Sequence, residues 1–124
     1  MSDLFKQIGE ENIRAVVEDF YDKAFSDPLI SHFFFGKDKQ RLIEMQVTFS
    51  AILLGSKEHS YQGRPMQKAH SGLPFKNVHF NRRQVLMRES LEKKNIPPAL
   101  ATEWLNLEEK FRALIVKDGG NCQG

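Results

Sequence analysis

The sequence predicts an all-α fold, in one domain over residues 1–117 with a flexible polar tail over residues 118–124. The first observation is that apolar residues recur at steps of three and four along most of the chain, which is the spacing of one helix face. The second is that no stretch alternates apolar and polar residues as a half-buried strand does. The third is that glycines and prolines fall between the periodic stretches, where helices end.

The N-terminal stretches predict a short helix and then a long one. Ser2 can cap a short amphipathic helix that ends near Gly9, and a second helix is expected over residues 11–26. Pro28 ends that helix because the residue before a proline is pushed out of the α region. The aromatic segment 29–36 is expected to form one helical turn and a corner. The apolar face of the second helix consists of Ile13, Val16, Val17, Phe20, Tyr21, Ala24 and Phe25.

The third periodic stretch predicts a helix over residues 38–54 that stops at Gly55. Its predicted apolar stripe consists of Leu42, Met45, Gln46, Phe49, Ile52 and Leu53. Gln46 is an amide at a position where the spacing asks for an apolar side chain. Two more helices are expected over residues 78–94 and 98–117, with Phe80 on the apolar face of the former.

Residues 61–74 predict a short helix that ends beside a histidine. Pro65 suits a first helical turn, while Gly72 and Pro74 suit its end, which leaves about two turns. A helix so short is marginal in water on its own. His70 lies at its end, and imidazole is both the commonest metal ligand and an axial ligand of haem. The alternative is a surface histidine near a helix C-terminus, which the helix dipole mildly favours.

The overall composition is that of a soluble globular protein. Of 124 residues, 40% are hydrophobic and 27% are charged, and the net charge of +2 is spread along the chain, which gives no case for nucleic acid. Cys122 is the single cysteine, so an internal disulfide is excluded. No run approaches the roughly 18 apolar residues of a membrane span, and the N-terminus has no apolar signal core. We expect a cytoplasmic monomer that binds neither nucleic acid nor membrane.

Polar side chains on apolar faces indicate a pocket. A buried phenol or amide without a partner costs about 1–3 kcal/mol, so Tyr21 and Gln46 must each meet a hydrogen-bonding group. They satisfy each other or the backbone, or they face a polar group of a ligand inserted among the helices. An isolated histidine such as His70, in a chain with ten phenylalanines, suits a haem better than zinc, because zinc wants four ligands and a porphyrin packs well on phenyl rings.

From residues 4 to 116 the chain resembles the truncated, two-over-two haemoglobins, and most closely their first group. The matching landmarks, in order, are LFKQIGEE (4–11), VVEDFY (16–21), DPLISHFF (27–34), RLIEMQVTF (41–49), YQGRPMQKAH (61–70) and HF (79–80). The resemblance implies a two-over-two helical sandwich around haem b. It also implies particular roles for single residues.

By this resemblance His70 is the proximal ligand of the haem iron, which leaves one axial position of the ferrous iron for gas. Tyr21 and Gln46 match the distal tyrosine and glutamine that hydrogen-bond the ligand at the iron. The remaining matches are haem-pocket positions, at Phe34, Leu42, Met45, Phe49, Met66 and Phe80. Arg64, and less securely Lys39 and Arg41, match positions that meet the haem propionates.

The chain also departs from the family pattern. Met45 stands where members with two histidines on the iron carry the second one, so we expect a single axial histidine. Near Lys110 there is no histidine of the kind that bonds haem covalently in some members, so we expect noncovalent haem. Ser50 replaces a phenylalanine proposed to gate a ligand tunnel, and Arg83 lies where the other two groups carry tryptophan. The family's paired glycines appear here as Gly9-Glu10.

The resemblance implies binding of O2, NO and CO. It implies further that the chain oxidises nitric oxide to nitrate, as a nitric oxide dioxygenase restored by an unidentified reductase. Oxygen transport or storage, O2 or NO sensing, electron transfer and peroxidase-like activity stay open. A different class, the histidine phosphotransfer module, is also all-α and uses one histidine. That module needs the histidine in the middle of a long helix, and Pro65, Gly72 and Pro74 leave no room for one around His70.

Overall fold

The computed structural model describes residues 4–59 and 75–116. These residues form α-helices and one 3₁₀ turn, with no strand among them. The helices are α1 (Leu4–Ile8), α2 (Glu10–Ala24), α3 (Lys39–Leu53), α4 (Asn77–Lys93), α5 (Pro98–Glu109) and α6 (Arg112–Ile115), and a 3₁₀ turn covers Ser31–Phe34. The predicted all-α class is confirmed, and none of the described helices is both long and apolar enough to cross a membrane.

The connection from α1 to α2 is a single glycine in the left-handed region. Gly9 has φ 89° and ψ 145°, and its N–H donates to the carbonyl of Phe5 over 2.8 Å. A side chain at positive φ is strained, whereas glycine adopts it freely. One glycine is thus sufficient for this turn, although the family pattern has two.

The third helix begins and ends as its sequence predicts. Asp38 is the N-cap residue, and its carboxylate accepts a hydrogen bond from the Arg41 backbone N–H over 3.2 Å. Gly55, at φ 115°, takes the left-handed conformation that follows many helix C-termini. The ion pairs Arg14–Glu44 and Lys39–Asp22 show that α3 runs antiparallel to α2.

The second helix lies at the centre of the described fold, since it packs on both α3 and α4. It runs antiparallel to α4, because Asp19 bonds Ser90 at one end and Asp27, just beyond α2, bonds Arg82 at the other. Its predicted apolar face is confirmed: every member is buried except Phe25, which is half-buried. The fourth helix also packs on α5, where Trp104 is fully buried.

The expectation of one continuous last helix is wrong, because the chain breaks at Lys110 and Phe111. There the backbone N–H groups of both residues reach carbonyls only three positions back, as in a 3₁₀ turn. The short helix α6 is then held against the start of α4. Arg112 donates to Asn77 Oδ1 over 2.9 Å, and its guanidinium carbon lies 4.4 Å from the Phe80 ring centroid.

Candidate functional site

Tyr21 lies in a cluster of aromatic rings at the C-terminal end of α2. Its side chain is buried, with 7% of the residue exposed. Three phenylalanine rings meet its ring edge-on, with centroid distances of 5.1 Å (Phe20), 5.8 Å (Phe34) and 6.2 Å (Phe25). Edge-to-face packing at these distances is the favoured arrangement of aromatic pairs. The cluster therefore fixes the plane of the Tyr21 ring and the direction of its hydroxyl.

The corner after α2 brings Phe34 into this cluster. The 3₁₀ turn folds the chain back so that the Phe34 ring stacks on Phe25, with centroids 5.1 Å apart and planes at 17°. Asp27 holds the corner, since its carboxylate accepts from the backbone N–H groups of Leu29 and Ile30 and from Arg82. The Arg82 guanidinium beside it lowers the pKa of Asp27. Phe34 is half-buried and is thus available to a further apolar surface.

The predicted buried stripe of α3 is wrong. The side chains that are buried on this helix and at its C-cap are Ile43, Val47, Ser50, Ala51 and Leu54. The predicted members are half-buried, including Gln46. The reason is that α3 is apolar on two adjacent faces, so periodicity alone cannot tell which face packs on α2.

The half-buried face of α3 carries Gln46 among apolar side chains. Leu42, Met45 and Phe49 lie one turn or less from it, and the Phe49 ring meets the ring of Phe111 edge-on at 5.4 Å. The Gln46 amide nitrogen Nε2 donates to the Ser50 hydroxyl over 3.1 Å. Leu42, Phe34 and Phe111 all pack partly against the core while retaining exposed apolar surface.

Arg83, which is half-buried, forms an ion pair with the buried Glu108 that the sequence did not reveal. Its Nη1 and Nη2 donate to Glu108 Oε1 and Oε2 over 2.6 and 3.2 Å, and Trp104 Nε1 donates to the same carboxylate over 3.0 Å. The guanidinium carbon lies 5.1 Å from the Phe20 ring centroid. Burial lowers the pKa of Arg83, but the charge of Glu108, the hydrogen bond to it and the nearby Tyr21 and Glu109 together outweigh burial and raise the pKa. A fixed positive charge thus lies within electrostatic reach of Tyr21.

A second buried carboxylate, Asp19, is also absent from the sequence-based predictions. It accepts hydrogen bonds from Ser90 Oγ over 2.7 Å and from Lys23 Nζ over 2.7 Å, and Lys93 Nζ lies 3.1 Å away. Burial raises the pKa of Asp19, but the bonds from Lys23, Ser90 and Lys93 outweigh it and lower the pKa to about 2. The i,i+4 spacing of Asp19 and Lys23 is visible in the sequence, whereas the contact with Ser90 is not.

The other predicted pocket residues fall in different surroundings. Phe80 is buried in the core, with 2% exposed. Lys39 Nζ lies 2.5 Å from Asp22 Oδ1 and 5.6 Å from the Phe25 ring centroid, and its role towards a haem propionate stays a prediction. Arg41 is exposed. The predictions for His70, Arg64 and Met66 lie outside the described residues and stay predictions.

These side chains fit a large flat apolar group with a polar ligand. The half-buried apolar surface of Phe34, Leu42, Met45 and Phe49 suits a porphyrin face, and the Tyr21 phenol and the Gln46 amide supply hydrogen-bonding groups. Residues 4–59 and 75–116 contain no group of three His, Cys, Asp or Glu side chains that could hold a metal ion.

A comparison with known proteins matches this chain to one family. The family model of the bacterial-like globins matches residues 3–117. A group 1 truncated hemoglobin from Tetrahymena pyriformis is 30% identical over 110 residues, which cover 88% of this chain and 90% of that protein. The group 1 truncated hemoglobin GlbN from Mycolicibacterium paratuberculosis is 34% identical over 97 residues, covering 78% of this chain and 71% of that protein.

The solved structures agree with these relatives. The Fe(III) form of truncated hemoglobin from Tetrahymena pyriformis superposes with a TM-score of 0.87 at 27% identity, covering 93% of this chain and 98% of that one. The 2/2 hemoglobin from a Synechococcus species, with covalently attached heme, superposes with a TM-score of 0.85 at 24% identity, covering 94% and 98%. The predicted two-over-two helical sandwich is confirmed by these folds.

Proposed function

Since this chain belongs to the bacterial-like globins, within the group 1 truncated haemoglobins, we propose that it holds haem b noncovalently and binds O2, NO and CO, with Tyr21 as hydrogen-bond donor to the gas. Globins hold haem and bind small gas ligands. The haem supplies an iron that binds diatomic gases, and we assign its axial histidine to His70. The observation that carries the proposal is the buried Tyr21 phenol inside its ring cluster.

Tyr21 can stabilise a gas that gains negative charge when it binds. The phenol is a hydrogen-bond donor, and a donor already oriented in a water-poor site is worth more than one in water. Phe20, Phe25 and Phe34 provide both conditions here, because their rings pack edge-on against the Tyr21 ring and only 7% of Tyr21 is exposed. By the resemblance, the Gln46 amide is a second hydrogen-bond donor to the bound gas. Leu42 and Met45, which are half-buried and lie one turn or less from Gln46, add apolar surface beside its amide.

The test is the rate of O2 release from the Tyr21→Phe variant, measured by stopped flow with CO as the competing ligand. One hydrogen bond to a charged acceptor is worth about 1.5–3 kcal/mol, so O2 should leave roughly tenfold faster or more. Phe5→Leu is the matched control, because it removes a half-buried phenylalanine ring on α1, outside the Tyr21 cluster, and no donor. It should change the rate by less than about threefold. An unchanged rate in Tyr21→Phe would remove Tyr21 from the proposed site.

The reaction we propose is the dioxygenation of nitric oxide. One NO and one O2 combine with one electron, supplied by a cellular reductase, to give one nitrate. Slow O2 release favours this chemistry over transport, since a gas held for long is available to react. Adding NO to the oxygenated protein should yield one nitrate per NO consumed. Nitrite as the main product, or unchanged oxygenated protein, would contradict the reaction while leaving gas binding intact.

Noncovalent attachment and a monomeric state are also part of the proposal. The last described helices, α5 and α6, contain no histidine that could bond the porphyrin. Extraction with acidified butanone should therefore move all the haem into the organic phase. Haem that stays with the chain would contradict noncovalent binding. Sedimentation velocity should give a single species near 14.3 kDa.

A further inference from the structure

Ser50 is a buried hydroxyl tied to the polar side chain of the half-buried α3 face. It follows Gln46 by four residues, so the two side chains lie on the same side of the helix. Ser50 has no exposed surface, and the Gln46 Nε2 donates to its Oγ over 3.1 Å. Because an unpaired buried hydroxyl is unfavourable, this bond keeps both groups in one arrangement.

The bond restricts the rest of the Gln46 amide as well. A glutamine amide is planar and presents two N–H donors and one carbonyl acceptor. Once one N–H points at Ser50, the other N–H and the carbonyl have fixed directions. Without this bond, the long side chain of a half-buried glutamine would sample several rotamers. Ser50 thus removes a rotational freedom that a ligand would otherwise have to restrict.

We propose that Ser50 is a positioning residue of the gas site, which holds the Gln46 amide so that its second N–H faces the bound gas. This inference rests on the proposed function, because it assumes that Gln46 meets the ligand. It assigns position 50 a hydrogen-bonding role in place of the tunnel gate that the resemblance suggested there. The two roles can be separated, since Ser50→Ala removes the hydroxyl and leaves the space almost unchanged.

The experiment compares haem-loaded wild type with Ser50→Ala, Ser50→Thr, Gln46→Leu and the double variant Ser50→Ala/Gln46→Leu. The C–O stretching band of bound CO reports the field of nearby donors, and stopped flow gives the O2 dissociation rate. Ser50→Ala should broaden or split the band and raise the rate about threefold. Ser50→Thr keeps a hydroxyl and should retain the single wild-type band. In the Gln46→Leu background, Ser50→Ala should change neither quantity.

Ser90→Ala is the matched control. Ser90 is as fully buried as Ser50, but it donates to Asp19 between α2 and α4. Its loss should leave the CO band and the O2 rate at their wild-type values. A second readout is hydrogen exchange at the Gln46 side-chain amide in the CO form, followed by NMR. Exchange should be slow in wild type and faster in Ser50→Ala.

Three results would overturn the inference. The first is a Ser50→Ala variant with the wild-type CO band, O2 dissociation rate and Gln46 amide exchange. The second is a Ser50→Ala effect in the Gln46→Leu background that is as large as the effect in wild type. In both cases a wild type that binds CO normally leaves the proposed function standing. A wild type that takes up no haemin would instead overturn the proposed function and this inference together.

Discussion

The Arg83–Glu108 pair allows the sharpest prediction for stability. A methionine in place of Arg83 still supplies a long unbranched side chain, but it makes neither of the two hydrogen bonds to the Glu108 carboxylate. Glu108 is only 4% exposed, so its carboxylate has little access to water once the guanidinium is lost. Breaking a buried ion pair in this way costs about 3–5 kcal/mol. Trp104 Nε1 still donates to Oε2, which puts the expected loss near the lower bound, at about 3 kcal/mol.

The double variant Arg83→Met/Glu108→Gln isolates the cause. It removes both charges, while the amide oxygen can still accept from Trp104. Because no uncompensated charge remains, its loss should fall to about 1 kcal/mol. The single variant should therefore be less stable than the double one by about 2 kcal/mol.

The assay is urea unfolding of the haem-loaded protein at pH 7, followed by far-UV circular dichroism. The free energy of unfolding comes from linear extrapolation to zero urea. Arg88→Met is the control on the same helix, and because Arg88 is exposed it should shift the free energy by less than about 0.5 kcal/mol. A loss below about 1 kcal/mol in Arg83→Met, or a double variant no more stable than the single, would refute this account of the pair.

Three further predictions concern the other polar and backbone features. Asp19→Asn should lose about 2 kcal/mol at pH 7, because its pKa is lowered from 3.8 to about 2. The folded-state pKa is depressed, so this stability is present above pH 4 and disappears as the pH falls towards 2. Urea titrations in which the free energies of unfolding of mutant and wild type differ by the same amount down to pH 2 would contradict it. Asp27→Ala should lower the free energy of unfolding by about 2 kcal/mol, since the carboxylate accepts from two backbone N–H groups and from Arg82. Asp27→Asn retains an acceptor and should lose about half as much. Equal losses in the two variants would show that the backbone bonds contribute nothing. Gly9→Ala should cost about 1–2 kcal/mol through its φ of 89° alone, because a Cβ there meets no atom within 4 Å, and thermal unfolding at the wild-type midpoint would disprove it.

Helix positions followed from local signals in this sequence, and so they were predictable. The helix predicted over residues 38–54 is Lys39–Leu53, with Asp38 as the N-cap residue and Gly55 after its end. The helix predicted over 78–94 is Asn77–Lys93. The break between α5 and α6 was missed because apolar residues continue at helical spacing through Phe111 and Leu114, although Leu114 is exposed.

The buried charges could not be predicted, because their partners are distant in the sequence. Arg83 and Glu108 are 25 residues apart, and Asp19 and Ser90 are 71 apart. Each of these residues is of a polar type that is common on exposed helix surfaces, so its type alone gives no sign of a partner elsewhere in the fold. The same holds for Ser50, whose burial depends on the face of α3 that packs inward. The burial of Tyr21, by contrast, was predictable, because its position on the apolar face of α2 follows from the spacing of apolar residues alone.

The proposed haem site requires that His70 holds the haem and that the iron stays open to gas. Its most direct test is the visible spectrum of purified protein titrated with haemin, reduced with dithionite and exposed to CO, in wild type and in His70→Ala. In wild type we expect a Soret band that saturates at one haemin per chain and that sharpens and shifts with CO, and in His70→Ala we expect weak or no haem retention. A wild-type chain without a saturating Soret band, or a His70→Ala variant with the wild-type spectrum, would contradict it.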